Sequence, residues 1–255
     1  MKEFVRRTLR SMVMVALRIR SQPYATAAGT RRLVISPHPD DEAFGCAGMI
    51  SIQRSAGNTV AVVYLTDGAG SHPGHPRLSP CDIAQLRHDE AITAMQLLDV
   101  APSSLHFIDV PDGTLSHLSP AAADHLVRRL ADLLVTLQPT DLFVPCAEDS
   151  SSEHAAAFKL VHRALQLTPQ QPRVMQYPVW ARWRPQQLPR LGWKSRRVWR
   201  LALPQATMLK SAVIDSYVSQ TKPTPPWENP VLPRGFAECF KSGEDFFFER
   251  EAVTR

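Results

Sequence analysis

Leu33-Val34-Ile35-Ser36-Pro37-His38-Pro39-Asp40-Asp41-Glu42 is the stretch on which the reading of this chain turns. A short apolar run of strand length enters a turn stiffened by two prolines. The acids that follow stand where a helix would begin, at the positive end of its dipole. That helix reads from about residue 41 to 56, with Gly57 as its stop. Thr59-Val60-Ala61-Val62-Val63-Tyr64-Leu65-Thr66 is then the clearest strand in the sequence. Strand, helix and strand in direct succession make a parallel pair with a helical crossover.

The alternation continues outward. A loop rich in Gly, Pro and His covers 67–80, a helix 81–98, a strand 105–110, a turn 111–113 and a helix 120–137. A strand at 141–145, a helix at 153–167 and a strand at 174–179 follow. This order predicts an α/β fold, a mostly parallel sheet with helices on both faces. Sites in such folds lie at the carboxyl ends of the strands, where the crossovers diverge. After Val179 the pattern weakens into Trp, Pro and Arg, leaving a strand at 198–203 and a helix at 205–219. The Pro-rich tail (Pro223, Pro225, Pro226, Pro230, Pro233) is expected to wrap the surface. No repeat and no linker divides the chain, so residues 31–255 read as one domain behind a basic extension, 1–30.

With 44% hydrophobic and 21% charged residues in 255, the chain is neither collagen-like nor disordered. No apolar run approaches the roughly 18 residues a membrane span needs. The four cysteines, Cys46, Cys81, Cys146 and Cys239, show no CxxC spacing and read as reduced thiols of a cytoplasmic protein. Net charge is +5, and its excess is local: residues 1–32 hold eight Arg or Lys against one acid, Glu3. A second basic cluster runs from Arg182 to Arg200, yet no nucleic-acid motif accompanies either, and no nucleic-acid partner is expected. Val5, Leu9, Met12 and Ala16 fall at helical spacing. Arg18 and Arg20 close that stretch with charge rather than with a cleavage site. Residues 1–20 therefore read as a frayed extension or a basic amphipathic helix, packed on the domain or in weak peripheral contact with an anionic membrane or partner. Oligomeric state leaves no mark in the sequence.

The densest chemistry is in Pro37–Glu42, where one imidazole and three carboxylates fall within five residues. Buried together without a cation they would repel and raise one another's pKa. In water on a surface turn they would do neither, but the position is where a doubly wound sheet builds sites. A divalent metal held by the imidazole and one carboxylate resolves the repulsion. A catalytic zinc takes about three protein ligands and keeps a position for water. His154 is the third candidate, because it follows the strand 141–145 by a short acidic loop, although its place on the stripe of Ala157, Phe158, Val161 and Leu165 also suits a core histidine. His72 and His75 compete for ligation from a Gly-flanked loop and are better suited to touching substrate. In the helix 81–98, Arg87 and Glu90 interrupt the apolar stripe of Ile83, Leu86, Ala94 and Leu97. They pair with each other at i,i+3, or Arg87 lines a pocket and orients an oxyanion or a carboxylate.

These residues resemble the PIG-L/LmbE-like zinc-dependent N-deacetylases. Pro37–Glu42 after a strand carries the likeness, with Thr66-Asp67-Gly68, Arg87 and Glu90, Pro111-Asp112-Gly113, and Lys210, Tyr217, Ser219 and Gln220 behind it. The resemblance implies a Rossmann-like fold, Zn2+ as cofactor, and removal of an N-acetyl group from an acetylated amino sugar such as an N-acetylglucosamine glycoconjugate. It makes His38, Asp41 and His154 the metal ligands, Asp40 the general base, and Asp67 part of the substrate site. The family's H-x-[DN]-H element reads Ser151-Ser152-Glu153-His154 here, so Ser151 stands where the family holds a histidine near the scissile carbonyl. His72, His75 or Arg87 would then have to supply what that histidine does. An amidase for a larger acyl amide or thiol conjugate, and a non-catalytic glycan binder, are the alternative readings.

Overall fold

The computed structural model describes residues 2–202 and 206–249, with side chains from residue 8 onward. Leu203 and Gln205, where the sequence closes a strand and opens a helix, lie outside the described residues, as does the side chain of Val5. Helix α1 (Lys2–Arg20) and the short strand β1 (Gln22–Pro23) precede β2 (Arg31–Ser36), α2 (Asp41–Ser55), β3 (Thr59–Thr66), α3 (Pro80–Leu97), β4 (Leu105–Val110) and α4 (Pro120–Leu137). Next come β5 (Asp141–Pro145), α5 (Ser152–Gln166), β6 (Arg173–Tyr177), α6 (Trp180–Trp183) and α7 (Leu188–Lys194). Last are β7 (Arg197–Ala202), α8 (Thr207–Asp215), α9 (Val218–Thr221) and β8 (Glu244–Glu249). Helix α3 begins one residue before its expected start: Ser79 and Asp82 form a reciprocal capping box, and Pro80 occupies the first turn, where it forfeits no hydrogen bond.

Eight strands of the described residues form one sheet in the order β1-β7-β8-β6-β5-β2-β3-β4. β2 is hydrogen-bonded in parallel to β3 on one side and β5 on the other. The chain winds outward through β3 and β4, then returns to begin again at β5. The carboxyl ends of β2 and β5 therefore flank the point where the crossovers diverge. Alternate residues of β3 feed opposite cores, as strand geometry requires. Val62 and Tyr64 join Phe44, Met95 and Val213 on one face, while Val63 and Leu65 join Leu130, Leu134 and Val161 on the other. The expected mostly parallel sheet, covered on both faces, is the sheet observed.

The tail departs from expectation. Its prolines lie on the surface, but Phe236 and Phe240 are buried, and β8 enters the sheet antiparallel between β6 and β7. Phe247 joins the core on the α2 side, while Phe246 and Phe248 pack with Val13, Leu17, Leu188 and Leu191 of α1 and α7. Among the described residues, no helix is long and apolar enough to cross a membrane.

One close approach sets how α2 lies on the sheet. A Cβ at Gly45 would run into the ring of Tyr177, which is fully buried and donates its hydroxyl to the Ile35 carbonyl at 2.8 Å. Gly45→Ala should therefore destabilise the fold by about 1–3 kcal/mol, as overpacking does. That would appear as an earlier thermal or urea midpoint, and an unchanged midpoint would mean that α2 can shift freely.

Candidate active site

Pro37–Asp40 leaves β2 at the divergence point, and Asp40 has φ 139°, a positive value that a non-glycine residue adopts only under constraint. The constraint is visible. The Glu42 carboxylate accepts the Asp40 amide at 3.1 Å and the Ser36 hydroxyl at 3.0 Å, and it accepts the Tyr217 hydroxyl as well. Arg87, buried in α3, donates to the Pro39 carbonyl. The turn is thus held from below by Glu42 and from the side by Arg87. Burial pushes the Glu42 carboxyl up to about 7, with the Tyr217 hydrogen bond opposing.

This turn sets Asp41 between two imidazoles. Its Oδ2 lies 3.0 Å from His38 Nδ1 and its Oδ1 lies 3.3 Å from His154 Nε2. The ligand atoms of His38, Asp41 and His154 all fall within 4.8 Å of one another. Each ring is braced by a carboxylate on its other nitrogen. Asp149 lies 2.7 Å from His154 Nδ1, and Asp112 lies 3.3 Å from His38 Nε2, with Glu153 at 3.7 Å. A carboxylate holds the ring proton on its own side and leaves the opposite nitrogen with a lone pair for a metal. Nε2 of His154 is fully buried and makes no hydrogen bond of acceptable geometry. An orphaned nitrogen beside a carboxylate and a second imidazole fits a divalent ion.

Electrostatics agree. Burial would lower the imidazole pKa values, but the surrounding carboxylates prevail, raising His154 to about 9 and His38 well above its ordinary value. Burial would also raise Asp41, yet His154 and His38 hold it well below the usual carboxylate range. The cluster thus draws positive charge to the place where the three donors converge, and a divalent cation would replace those ring protons.

Asp40 faces the same space. Burial raises its carboxyl to about 6, against the pull of Arg87, whose Nη2 lies 3.1 Å from Asp40 Oδ2. The cavity has a volume of about 200 Å³. Its lining combines polar residues, His38, Asp40, Asp41, Ser71, Arg87, Asp112 and Gln220, with apolar ones, Phe44, Val179, Trp180, Val231, Leu232 and Phe236.

Of the other residues singled out by sequence, Arg87 and Gln220 also line this cavity. Arg87 backs Asp40 and forms the expected i,i+3 ion pair with Glu90 at 3.7 Å, while Glu90 also accepts the Ser219 amide and hydroxyl. Asp67 accepts the amides of Ala69 and Asp112, tying two loops together. His72 hydrogen-bonds with Ser71 and Thr224 and stacks on Trp227. Nδ1 of His75 accepts two backbone amides, from Arg77 and Leu78. Neither histidine is brought to the ion site. Ser151 caps α5, its hydroxyl accepting the His154 amide at 3.3 Å. Asp67, His72, His75 and Ser151 are not among the residues that line the cavity; of the side chains expected to stand in for the absent histidine, Arg87 reaches it.

Asp149 was not singled out by sequence. It is wholly buried, and its two oxygens accept the amides of Val179, Trp180 and Ala181 at the start of α6. Only its place in an acidic loop could have drawn attention. Asp149→Asn should lower metal affinity about 10–100-fold. Competition titration against a chelating dye measures this, and an unchanged constant would make Asp149 a loop anchor alone.

Residues 33–165 match the model of the PIG-L family, described as GlcNAc-PI de-N-acetylase. A probable N-acetyl-alpha-D-glucosaminyl L-malate deacetylase 2 of Bacillus subtilis (strain 168) is 30% identical over 140 residues. That alignment spans 52% of this chain and 59% of the relative, so the match extends over less than two thirds of that protein's length. Among solved structures, the N,N'-diacetylchitobiose deacetylase of Pyrococcus horikoshii aligns with a TM-score of 0.58 and 20% identity, over 86% of this chain and 79% of that one. GalB, the 4-carboxy-2-hydroxymuconate hydratase of Pseudomonas putida KT2440, aligns with a TM-score of 0.65 and 17% identity, over 89% and 97%. At these identities the likeness is one of fold, and the fold carries more than one chemistry.

Proposed function

The chain belongs to the PIG-L family, and from that premise we propose that it is a metal-dependent N-deacetylase acting on an acetylated amino sugar or its glycoconjugate. The observation that carries this reading is the convergence of His38, Asp41 and His154, with His38, Asp41 and Asp40 opening onto one cavity. The ion is best read as Zn2+, because two imidazoles and one carboxylate with room for water form a catalytic zinc donor set. The names of the malate and chitobiose deacetylases support the substrate class. Four cysteines, none of them in a disulfide among the described residues, support a reducing, cytoplasmic setting.

When bound, the ion supplies Lewis acidity, polarising the acetyl carbonyl and easing ionisation of water. The chain's own residues do the rest. Asp40 removes the proton from the attacking water and returns it to the departing amine. Arg87 keeps Asp40 aimed at the cavity, and the apolar wall around Phe44 and Trp180 accepts the acetyl methyl group and a sugar face. Acetate release from N-acetylglucosamine compounds, measured together with metal content, tests this proposal. Release from N-acetyl sugars but not from longer acyl amides is expected. Faster turnover of longer acyl amides would point to the amidase reading, and full metal occupancy with no turnover would leave a glycan binder.

A further inference from the structure

Helix α1 carries apolar side chains on two sides. Val13 and Leu17 are buried against Leu188, Leu191 and Val198, and Gly192 of α7 lies close to Leu17. One buried stripe is all that docking a helix requires. Yet Met12, Val15 and Ile19 form a second row at i, i+3 and i+7, exposed by 66%, 49% and 80%. Trp193, on the neighbouring α7, is exposed by 76%. Single exposed apolar residues need no explanation, but an exposed helical row, on a helix packed against one that exposes a tryptophan, does.

The charge around this row narrows what can cover it. Arg20 on α1, and Arg190, Arg196 and Arg197 on and after α7, are exposed, as are Arg18 and Lys194, which pair with Glu244 and Glu148. Residues 1–32 hold eight basic side chains and one acid. A second copy of the chain would bring basic surface against basic surface. A nucleic acid would satisfy the arginines and leave Met12, Val15 and Ile19 in water. An anionic bilayer takes both, with apolar side chains entering below the headgroups and cations lying among the phosphates. Tryptophan is also suited to that boundary.

We infer that α1 and α7 form a docking face for an anionic lipid surface, with Met12, Val15, Ile19 and Trp193 inserting. Helix α1, which carries this row, also reaches toward the cavity wall. The Arg10 guanidinium lies 5.8 Å from the Trp183 ring, Trp183 lies 5.6 Å from Phe236, and Phe236 lines the cavity wall.

The test uses the full chain and no substrate, so its outcome is independent of the deacetylase reading. Sedimentation with phosphatidylcholine vesicles containing phosphatidylglycerol should carry the protein down at low salt, and neutral phosphatidylcholine vesicles should retain far less. The double variant Met12→Glu/Ile19→Glu, at exposed positions, should keep the wild-type melting midpoint and lose roughly ten-fold in bound fraction. Failure of the wild type to sediment with anionic vesicles would overturn the inference. So would equal binding to neutral vesicles, undiminished binding by the variant, or a dimer in sedimentation velocity that the variant splits.

Discussion

His154→Ala should empty the metal site while leaving the sheet intact. Of the three donors that converge here, His154 offers the nitrogen that is wholly buried and without a hydrogen bond. The loss of one of three donors should weaken affinity on the order of a hundred-fold or more. Elemental analysis after dialysis should then fall from near one ion per chain to a small fraction. The substitution also strands Asp149 in the core without its imidazole, which costs about 1–3 kcal/mol. A drop in melting temperature alone would therefore be ambiguous. His38→Ala removes the ambiguity, because its side chain is 22% exposed and its loss leaves no wholly buried partner behind. It should lose the ion with a smaller change in midpoint. Wild-type protein should gain roughly 3 kcal/mol of stability from zinc at a hundred times the dissociation constant, and both variants should gain almost none. Tight stoichiometric zinc in both would remove the ion from this triad.

What sequence revealed and what it hid follow from how local each interaction is. Pro37–Glu42 stood out because three carboxylates and an imidazole at the end of an apolar strand make no sense without compensation, and everything needed to see that lies within six residues. His154 was legible from its place after β5. Asp149 was not, because its role depends on three amides at 179–181, about thirty residues away, which close around it only after β6 is laid down. β8 was hidden for a similar reason. Glu244-Asp245-Phe246-Phe247-Phe248-Glu249 shows no period-two alternation, because both of its faces are covered, and its neighbours β6 and β7 precede it by more than forty residues. Its acids look like surface residues but are partners. Asp245 pairs with buried Lys210, and Glu249 accepts the Trp199 indole N–H. The 67–80 loop misled in the opposite sense. Its histidines look poised for chemistry, and the tail, through Thr224 and Trp227, gives them a packing role that no local pattern announces.

Asp40→Asn should separate turnover from metal binding more sharply than any other change. Asparagine has nearly the shape of aspartate, and its amide oxygen can still receive the Arg87 guanidinium, so the constrained turn has reason to persist. Asp40 touches neither imidazole in the way Asp41 does, and metal content should stay near the wild-type level. What asparagine cannot do is accept a proton. A positioned base is worth about 10²–10⁴ in rate, which corresponds to about 2.7–5.4 kcal/mol of activation free energy. The loss should fall on kcat with little change in KM, since the side chain acts on the water rather than on the sugar. Arg87→Met distinguishes the aim of the carboxylate from its presence. It leaves Asp40 able to accept a proton but releases it from its buried cation, so activity should fall less than in Asp40→Asn while zinc is retained. Wild-type turnover by Asp40→Asn would move the base elsewhere. Asp112 would be the next carboxylate to test, because it lines the same cavity and lies 3.3 Å from the His38 ring nitrogen turned away from Asp41.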